Sequence, residues 1–116
     1  MNFTIIFYET VDGECPVEEF LATLEPKLRA KSVGILEILQ EKGIGLREPY
    51  TKPLGQGLFE LRVKQATNIV RFIYFYSGNR IIIVTHGFVK KTDKTPPKEI
   101  ATALKRKTDY LKRGGK

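Results

Sequence analysis

Three β-prone segments follow one another in the second half of the chain, and the connections between them are too short to hold a helix. They are residues 58–64, 69–76 and 80–88, joined by turns around residues 66–68 and 77–79. Strands joined by so few residues pair as antiparallel neighbours, because a parallel connection needs a crossover of a dozen or more residues. The sequence therefore predicts a three-stranded antiparallel meander as the frame of the fold.

A strand and two helical segments precede this meander. Residues 3–8 are apolar and β-prone and are predicted as a first strand. Residues 17–24 form a short amphipathic segment, and a longer one with apolar residues at helical spacing covers residues 26–42. Pro26 suits the first turn of a helix, and Gly43 is well placed to end one. The two segments are interpreted as a helical hairpin.

A loop and a last helix complete the prediction. Residues 45–57 contain several Pro and Gly residues and are predicted as a loop. Thr95 is placed to cap a helix that begins at Pro96. The apolar stripe of this helix is formed by Ile100, Leu104 and Leu111. The element order is therefore β-α-α-β-β-β-α, an α+β layout with a small antiparallel β-sheet in one domain spanning residues 1–116.

Charge is distributed unevenly along the chain, whose formal net charge is +7. Residues 1–50 hold 5 Lys/Arg and 9 Asp/Glu, a balance of −4, whereas residues 51–116 hold 15 and 4, a balance of +11. A field this directional points to a polyanionic partner for the basic half. Nucleic acid is the first candidate, because Lys and Arg neutralise backbone phosphates.

The sequence shows no sign of a membrane span, a signal peptide, an internal disulfide or a zinc site. No apolar run approaches the ~18 residues that a membrane span needs, and the N-terminus has no basic segment of a signal peptide. The single cysteine, Cys15, cannot form an internal disulfide, which fits a reducing cytoplasm. One His and one Cys far apart do not make a zinc site. We therefore expect a cytoplasmic protein without a metal or cofactor.

The candidate functional residues are cationic. Arg62, Arg71 and His86 lie on segments that an antiparallel sheet would bring to one concave face. Arginine binds phosphate oxygens in pairs and suits the charge that develops when a phosphodiester is attacked. Histidine exchanges protons near pH 7. Arg71 is flanked by isoleucines, so it is either paired with Glu60 or held ready for an anion.

Each of these residues also has a simpler structural interpretation. A histidine at a strand end is equally compatible with a hydrogen-bonded structural role. Lysines at positions 90, 91 and 94 are compatible with a solvated loop. The aromatic side chains of Phe72, Tyr74 and Phe75 favour a position in the core over a platform for stacked bases.

Four segments in this order and spacing resemble the HigB-like, phage-derived branch of the RelE/ParE toxin superfamily, the toxins of bacterial type II toxin–antitoxin pairs. They are residues 52–55 with 57–62, then 71–75, 86–92, and 95–96 with 99–101. The resemblance covers residues 3–112. It implies a RelE-like fold, in which a small antiparallel sheet carries a helical hairpin on one side and a C-terminal helix.

The resemblance also implies a function. RelE-like toxins enter the ribosomal A site and cleave mRNA by attack of a ribose 2′-OH on the adjacent phosphate. This chain is then expected to be a ribosome-dependent endoribonuclease whose partners are the ribosome and mRNA. The resemblance further implies a cognate helix-turn-helix antitoxin of the HigA type. Operator DNA would be reached only through that antitoxin.

Site residues are carried over by position. Arg71 corresponds to the arginine that contacts the scissile phosphate in this family, and Arg62 lies in the strand where relatives place basic catalytic residues. The residues expected to be catalytic are Arg62, Arg71, His86 and Lys91. The residues expected to bind RNA are Lys52, Lys64, Lys90 and Lys94.

The general base is left open by the sequence. His86 is the first choice and Glu60 the second, and the third is a lysine or charge stabilisation without a single base. The chain departs from RelE here, because Tyr110 lies too late in the last helix to match the catalytic tyrosine of that toxin.

Two alternative functions and one surface are also left open. The chain is compatible with a ParE-like inhibitor of DNA gyrase, or with an inactive co-repressor that only binds its antitoxin. The acidic N-terminal half is either the solvated back of the protein or a surface that helps to dock the antitoxin.

Overall fold

The computed structural model describes residues 2–114 and shows a five-stranded mixed sheet with helices on both faces. The strands are β1 (Thr4–Phe7), β2 (Thr51–Gly55), β3 (Leu58–Gln65), β4 (Asn68–Tyr76) and β5 (Ile81–Val89). The helices are α1 (Pro16–Thr23), α2 (Pro26–Lys42) and α3 (Pro97–Lys112). The strand order is β1-β5-β4-β3-β2, with β1 parallel to β5 and the other pairs antiparallel. The predicted α+β class and the β3-β4-β5 meander are confirmed.

The pleat of the sheet divides its side chains between two apolar layers. Leu61, Val63, Phe72 and Tyr74 pack with α1 and α2. The opposite face, which includes Phe75, packs beneath α3. Phe72, Tyr74 and Phe75 are each no more than 1% exposed, so the prediction that these aromatics belong to the core is confirmed. Alternate burial of this kind stabilises both faces of the meander at once.

A β-bulge in β5 sets the direction of the His86 side chain. Ile73 of β4 pairs with His86, whereas the next residue, Tyr74, pairs with Val84. Thr85 is therefore the extra residue, and its hydroxyl donates to the Ile73 carbonyl at 3.1 Å. The bulge places His86 on the α3 face of the sheet. Without the extra residue, the regular alternation of the strand would point His86 to the opposite face.

An edge strand occupies part of the segment that was predicted to be a loop throughout. Residues 51–55 form β2 and pair with β3, so the prediction of a loop over residues 45–57 is wrong there. Pro53 argued against a strand, but an edge strand tolerates proline because one side of its backbone needs no partner. The register of β2 shifts between Pro53 and Gly55, which marks a bulge at this edge.

The packing of α3 also differs from the prediction in two respects. Leu111 is 50% exposed, whereas Ala103 and Tyr110 are buried. These two lie seven residues apart on one helix face, and Tyr110 packs edge-on against a core aromatic of β4, which turns Leu111 outward. Thr95 does not cap the helix, because Pro96 is the N-cap residue and the Thr95 hydroxyl donates to a buried carboxylate instead.

The helical hairpin is confirmed. Helix α2 covers the predicted residues, and α1 begins one residue earlier than predicted. Gly43 ends α2 with φ of 52°, and a side chain there would overlap the ring of Phe3. Among residues 2–114, no helix is both long enough and apolar enough to span a membrane.

Candidate nucleic-acid interface

A cavity of about 330 Å³ lies where the end of β3 and the start of β4 meet α2, and we call it the basic cavity. Five cationic residues line it: Lys31, Arg62, Lys64, Arg71 and Lys90. The other lining residues are Ile35, Pro49, Tyr50 and Ile69. None of these described residues carries a carboxylate. A cavity with this lining attracts anions and favours phosphate.

Strand register is what brings the cations together. Arg62 of β3 pairs directly with Arg71 of β4, and Lys64 pairs with Ile69. The backbone N–H of Lys90, just after β5, donates to the Ile69 carbonyl at 2.9 Å. Residues far apart in sequence therefore meet within one cavity. Two arginines directly opposite repel one another, so a negative group nearby is needed to stabilise them.

Glu60 supplies that negative charge, and it is fully buried. Its Oε2 accepts a hydrogen bond from Arg71 Nη1 at 3.0 Å and another from the Thr95 hydroxyl. Its Oε1 lies 3.5 Å from Arg62 Nε, which is an ion-pair distance but too long for a well-formed hydrogen bond. One carboxylate therefore holds both arginines of the cavity. The sequence left two possibilities for Arg71, a pair with Glu60 or a guanidinium free for an anion. The structure shows the pair.

Arg71 forms the floor of the basic cavity and not its open wall. Its side chain is only 1% exposed. Besides its bond to Glu60, it donates from Nη2 to the Asp93 carbonyl at 3.1 Å. That bond holds the loop after β5 over the arginine, and within the same loop the exposed Asp93 carboxylate lies 3.6 Å from Lys90 Nζ. Arg62, with 36% of its side chain exposed, is the guanidinium that an incoming anion would meet.

His86 lies on the same sheet face as the arginines but does not line the basic cavity. Its Nε2 is 3.0 Å from Glu99 Oε1, and its Nδ1 is 3.0 Å from the Thr85 hydroxyl. Burial lowers the pKa of His86 below its ordinary value, opposed by the hydrogen bond to Glu99 and assisted by the charge of Arg106. Both ring nitrogens are thus engaged within the protein. This arrangement matches the structural interpretation of His86.

The remaining predicted residues do not line the basic cavity. Lys91 and Lys94 are exposed on the loop between β5 and α3. Lys52 is half-buried on β2, where it pairs with Glu60 across the strands. Tyr110 is buried against the core. The structure thus gathers Arg62, Lys64, Arg71 and Lys90, and leaves the other predicted residues outside the cavity.

Sequence reasoning missed two polar residues of the basic cavity, Lys31 and Tyr50. Lys31 belongs to α2 and reaches the cavity from the other layer of the fold. Tyr50 precedes β2, and its carbonyl accepts a hydrogen bond from the Arg62 N–H at 2.8 Å. Neither residue stands out in the sequence, because the helical hairpin and the loop that carry them were not expected to border the meander at this point.

Among residues 2–114, neither the buried Cys15 nor a cluster of metal-ligating side chains forms a second candidate site. Burial is the main cause that raises the pKa of the Cys15 thiol, so the reactive thiolate is disfavoured. Within residues 2–114, no group of three or more His, Cys, Asp or Glu side chains is close enough to hold a metal ion.

The fold and the basic cavity define a class of small α+β domain with a cationic site at one end of a mixed sheet. The model of a family described as phage-derived protein Gp49-like matches residues 19–108. The chain belongs to this Gp49-like family, in the HigB-like branch of the RelE/ParE toxin superfamily.

Two relatives share one name, probable endoribonuclease HigB1. They come from Mycobacterium tuberculosis strains CDC 1551 / Oshkosh and ATCC 25618 / H37Rv. Each is 31% identical to this chain over 101 residues, which cover 86% of this chain and 78% of the relative. The resemblance found in the sequence is confirmed by the family and by these relatives.

Proposed function

We propose that this protein is the toxin of a type II toxin–antitoxin pair and an endoribonuclease that cleaves mRNA in the ribosomal A site. Membership of the HigB-like branch supports the toxin role, and the name of the relatives, probable endoribonuclease HigB1, supports ribonuclease activity. The substrate would be single-stranded message, whose charged backbone is the feature that a cationic cavity recognises.

The observation that carries this proposal is the lining of the basic cavity. Its five cations and lack of carboxylates among the described lining residues suit a phosphate better than a small neutral ligand. When the 2′-OH attacks the adjacent phosphate, negative charge builds up on the phosphate oxygens. Arg62 and the exposed Lys64 are placed to stabilise that charge, and Lys90 and Lys31 would hold the flanking backbone.

Arg71 and Glu60 act in this scheme by positioning Arg62. The Glu60 carboxylate is enclosed by two guanidinium groups and the Thr95 hydroxyl, so it is poorly placed to take a proton from the message. Because Arg71 is buried and doubly hydrogen-bonded, it supports the cavity from below.

Charge stabilisation without a single strong base is therefore the mechanism we favour. His86, the first choice from the sequence, has both ring nitrogens engaged by Thr85 and Glu99. Lys91 is exposed and follows the cavity residue Lys90 in sequence, and it is the remaining candidate for proton transfer. As the 2′-oxygen bonds to phosphorus and the bond from phosphorus to the 5′-oxygen breaks, the 2′-OH would release its proton to water. The leaving 5′-oxygen would take a proton from water or from a neighbouring lysine.

The partners follow from the toxin role. A cognate antitoxin would neutralise the protein, and we propose that it is of the helix-turn-helix, HigA-like type and connects the toxin to operator DNA. The ribosome would present the message, so the protein would act in the cytoplasm.

The test is primer extension on a reporter mRNA in a cell-free translation system, with and without ribosomes. The variant is Arg62→Ala, and the control is Lys105→Ala, an exposed α3 lysine outside the basic cavity. We expect cuts that need ribosomes, and a loss of about 10²–10³-fold for Arg62→Ala, the usual effect of removing one transition-state donor.

Other outcomes would change the assignment. Cuts without ribosomes would indicate a free ribonuclease. Absence of cuts by the folded wild-type protein would contradict the ribonuclease and favour gyrase inhibition or a co-repressor role. Equal activity of Arg62→Ala and Lys105→Ala would remove the basic cavity from the mechanism.

A further inference from the structure

A second cavity, which we call the aromatic pocket, lies between the segment that follows α2 and strands β2, β3 and β4. Its volume is about 520 Å³, within the range of pockets that bind small organic groups. Aromatic rings from Phe59, Tyr74 and Tyr76 form one wall, and Arg47 and Glu48 supply its charged groups. The chemistry proposed for the basic cavity assigns no task to these residues.

The aromatic wall is rigid and partly accessible. The rings of Phe59 and Tyr74 are stacked, with centroids 5.6 Å apart and planes 21° apart, and Tyr76 is edge-on to both at 5.5 and 5.9 Å. Tyr74 is buried and its hydroxyl is hydrogen-bonded to Tyr76 and Thr51, so it supports the wall from behind. Phe59 and Tyr76 are only half-buried. A fixed aromatic surface that stays accessible is suited to stack a planar ring.

The charged groups of the pocket are exposed and uncommitted. Within residues 2–114, the side chains of Arg47 and Glu48 form no ion pair. A carboxylate accepts two hydrogen bonds side by side, and guanine alone among the RNA bases presents two adjacent donors, N1–H and N2–H, on its Watson–Crick edge. Adenine and cytosine offer one amino group beside an acceptor, and uracil offers one donor between two acceptors. A stacking wall beside a carboxylate therefore favours an unpaired guanine.

The aromatic pocket and the basic cavity are lined by one segment of the chain. Arg47, Glu48 and Thr51 line the aromatic pocket, whereas Pro49 and Tyr50 line the basic cavity. The Tyr50 N–H donates to the Arg47 carbonyl at 3.0 Å, which holds the segment in a turn. The wall between the two cavities is therefore a single turn of the backbone.

Strand β3 sets the distance between the two cavities. Phe59 precedes Arg62 by three residues, which is about 10 Å along the strand, and their side chains leave opposite faces of the sheet. A message with a phosphate at Arg62 would therefore cross the turn at residues 47–50 to bring a base to Phe59. Because this separation is short, the phosphate and the base would belong to nucleotides close together in the message.

We propose that the aromatic pocket binds an unpaired guanine of the message, close in sequence to the phosphate held in the basic cavity. The guanine would stack on Phe59 and Tyr76, donate from N1–H and N2–H to the Glu48 carboxylate, and accept at O6 from Arg47. This proposal rests on the proposed ribonuclease function and deepens it, since it names the base that would decide which sites in the message are cut.

The first test measures binding without cleavage, by fluorescence anisotropy of labelled oligonucleotides with the full-length protein. The probes are six-nucleotide chains of deoxyuridine with a single guanine, adenine or hypoxanthine near the centre. They lack the attacking 2′-OH, and hypoxanthine differs from guanine only in lacking the N2 amino group. The variant is Glu48→Gln. Its matched control, Glu41→Gln, removes the same charge at an exposed position outside the pocket.

The guanine probe should bind about tenfold more tightly than the other two, which is the scale of one good pair of base contacts. Glu48→Gln should abolish this preference, and Glu41→Gln should preserve it. Arg62→Ala should weaken all three probes to a similar extent, because it removes a phosphate contact and no base contact.

Three results would overturn the proposal. The first is equal binding of the three probes to the wild type. The second is the same guanine preference in Glu48→Gln as in Glu41→Gln. The third is loss of the preference in Arg62→Ala, which would place the base in the basic cavity.

Aromatic NMR spectra locate the base without any substitution. When the guanine probe is added, the ring proton signals of Phe59 and Tyr76 should shift, because a stacked base adds its ring current. Those of Tyr8, which lines neither cavity, should stay in place. Unchanged signals of Phe59 and Tyr76 in the bound protein would exclude stacking in the aromatic pocket.

The last test connects the pocket to the proposed function. In the cell-free translation assay, cuts by the wild type should cluster beside guanines, and Glu48→Gln should move cuts to sites without guanine. The same pattern of cuts in both proteins would contradict a role of the pocket in choosing the site. If the wild type makes no cuts, the proposed function fails, while the binding and NMR measurements still decide whether the pocket takes guanine.

Discussion

Arg71 Nη1 lies 3.0 Å from Glu60 Oε2, and neither side chain is more than 1% exposed. A buried pair of this kind leaves an uncompensated charge when one partner is removed, but it can be replaced as a unit by apolar residues. Loss of activity in an Arg71 variant alone would therefore not separate catalysis from folding. The pair must be tested both singly and together.

Arg71→Ala is expected to lower the free energy of unfolding by about 3–5 kcal/mol, because Glu60 stays buried without its main partner. Glu60→Met/Arg71→Met should return to within about 1 kcal/mol of the wild type, since it buries no unpaired charge. Urea denaturation measures both. A double variant as unstable as the single one would show that the stability comes from packing and not from charge.

The same double variant tests the positioning role of Arg71. If Arg71 acts by holding Glu60 near Arg62, the double variant should retain part of the cleavage activity, with a loss of about tenfold and not the 10²–10³-fold expected for a contacting arginine. The measurement is cleavage of reporter mRNA by the folded variant. A loss as large as that of Arg62→Ala would show that the Glu60–Arg71 pair does more than position Arg62.

Substitution of Lys31 tests whether the basic cavity binds RNA as a three-dimensional site, because the sequence alone did not point to this residue. Lys31→Ala should weaken binding of single-stranded RNA by about three- to tenfold and reduce its salt dependence, since one phosphate contact is lost. Lys27→Ala is the matched control, because Lys27 is exposed on the same helix but lies outside the cavity. Equal effects of the two substitutions would argue against a defined cavity.

The buried His86 predicts a specific pH dependence of stability. Burial is the main cause that lowers its pKa, so the folded protein binds a proton at this site less readily than the unfolded chain. Its contribution is therefore fully present above the ordinary pKa of 6.5 and is lost as the pH falls through 6.5 toward the lower folded value.

Comparison with His86→Gln isolates this contribution, because the chain has a single histidine. The free energy of unfolding of the wild type should fall between pH 7.5 and 5.5 by more than that of the variant, measured by urea denaturation at each pH. Parallel curves would show that His86 does not titrate in this window. Glu99 and Arg106, which act on the ring, are unchanged in the comparison.

Gly87 and Gly34 should respond to alanine in opposite directions. A Cβ at Gly87 would lie 2.6 Å from the Phe20 ring and 2.7 Å from the Phe72 ring, so Gly87→Ala is expected to destabilise the protein by about 1–3 kcal/mol. A Cβ at Gly34, in the middle of α2, meets no atom within 4 Å, so Gly34→Ala should stabilise by about 0.5–1 kcal/mol. Thermal unfolding checks both, and a stable Gly87→Ala protein would contradict the close packing of α1 on β5.

Local pattern and turn chemistry were enough to predict the meander, the helical hairpin and the α+β class. Alternation in residues 58–64 and the short turns on either side of β4 permit few other arrangements. The edge strand β2 escaped prediction because its pairing with β3 outweighs an unfavourable local sequence. The bulge at Thr85 escaped for the same reason, since a one-residue shift is decided by the partner strand.

Residue types and the family resemblance pointed to eight residues, and the structure places four of them in one cavity: Arg62, Lys64, Arg71 and Lys90. The other four, Lys52, His86, Lys91 and Lys94, do not line it. The sequence could not distinguish a buried arginine from an exposed one, because that difference depends on Glu60 and on the loop that closes over Arg71. Nor could it place Lys31 beside them, since helix and sheet meet only through tertiary packing. Chain-local chemistry determined which residues became candidates, and long-range packing decided what each of them touches.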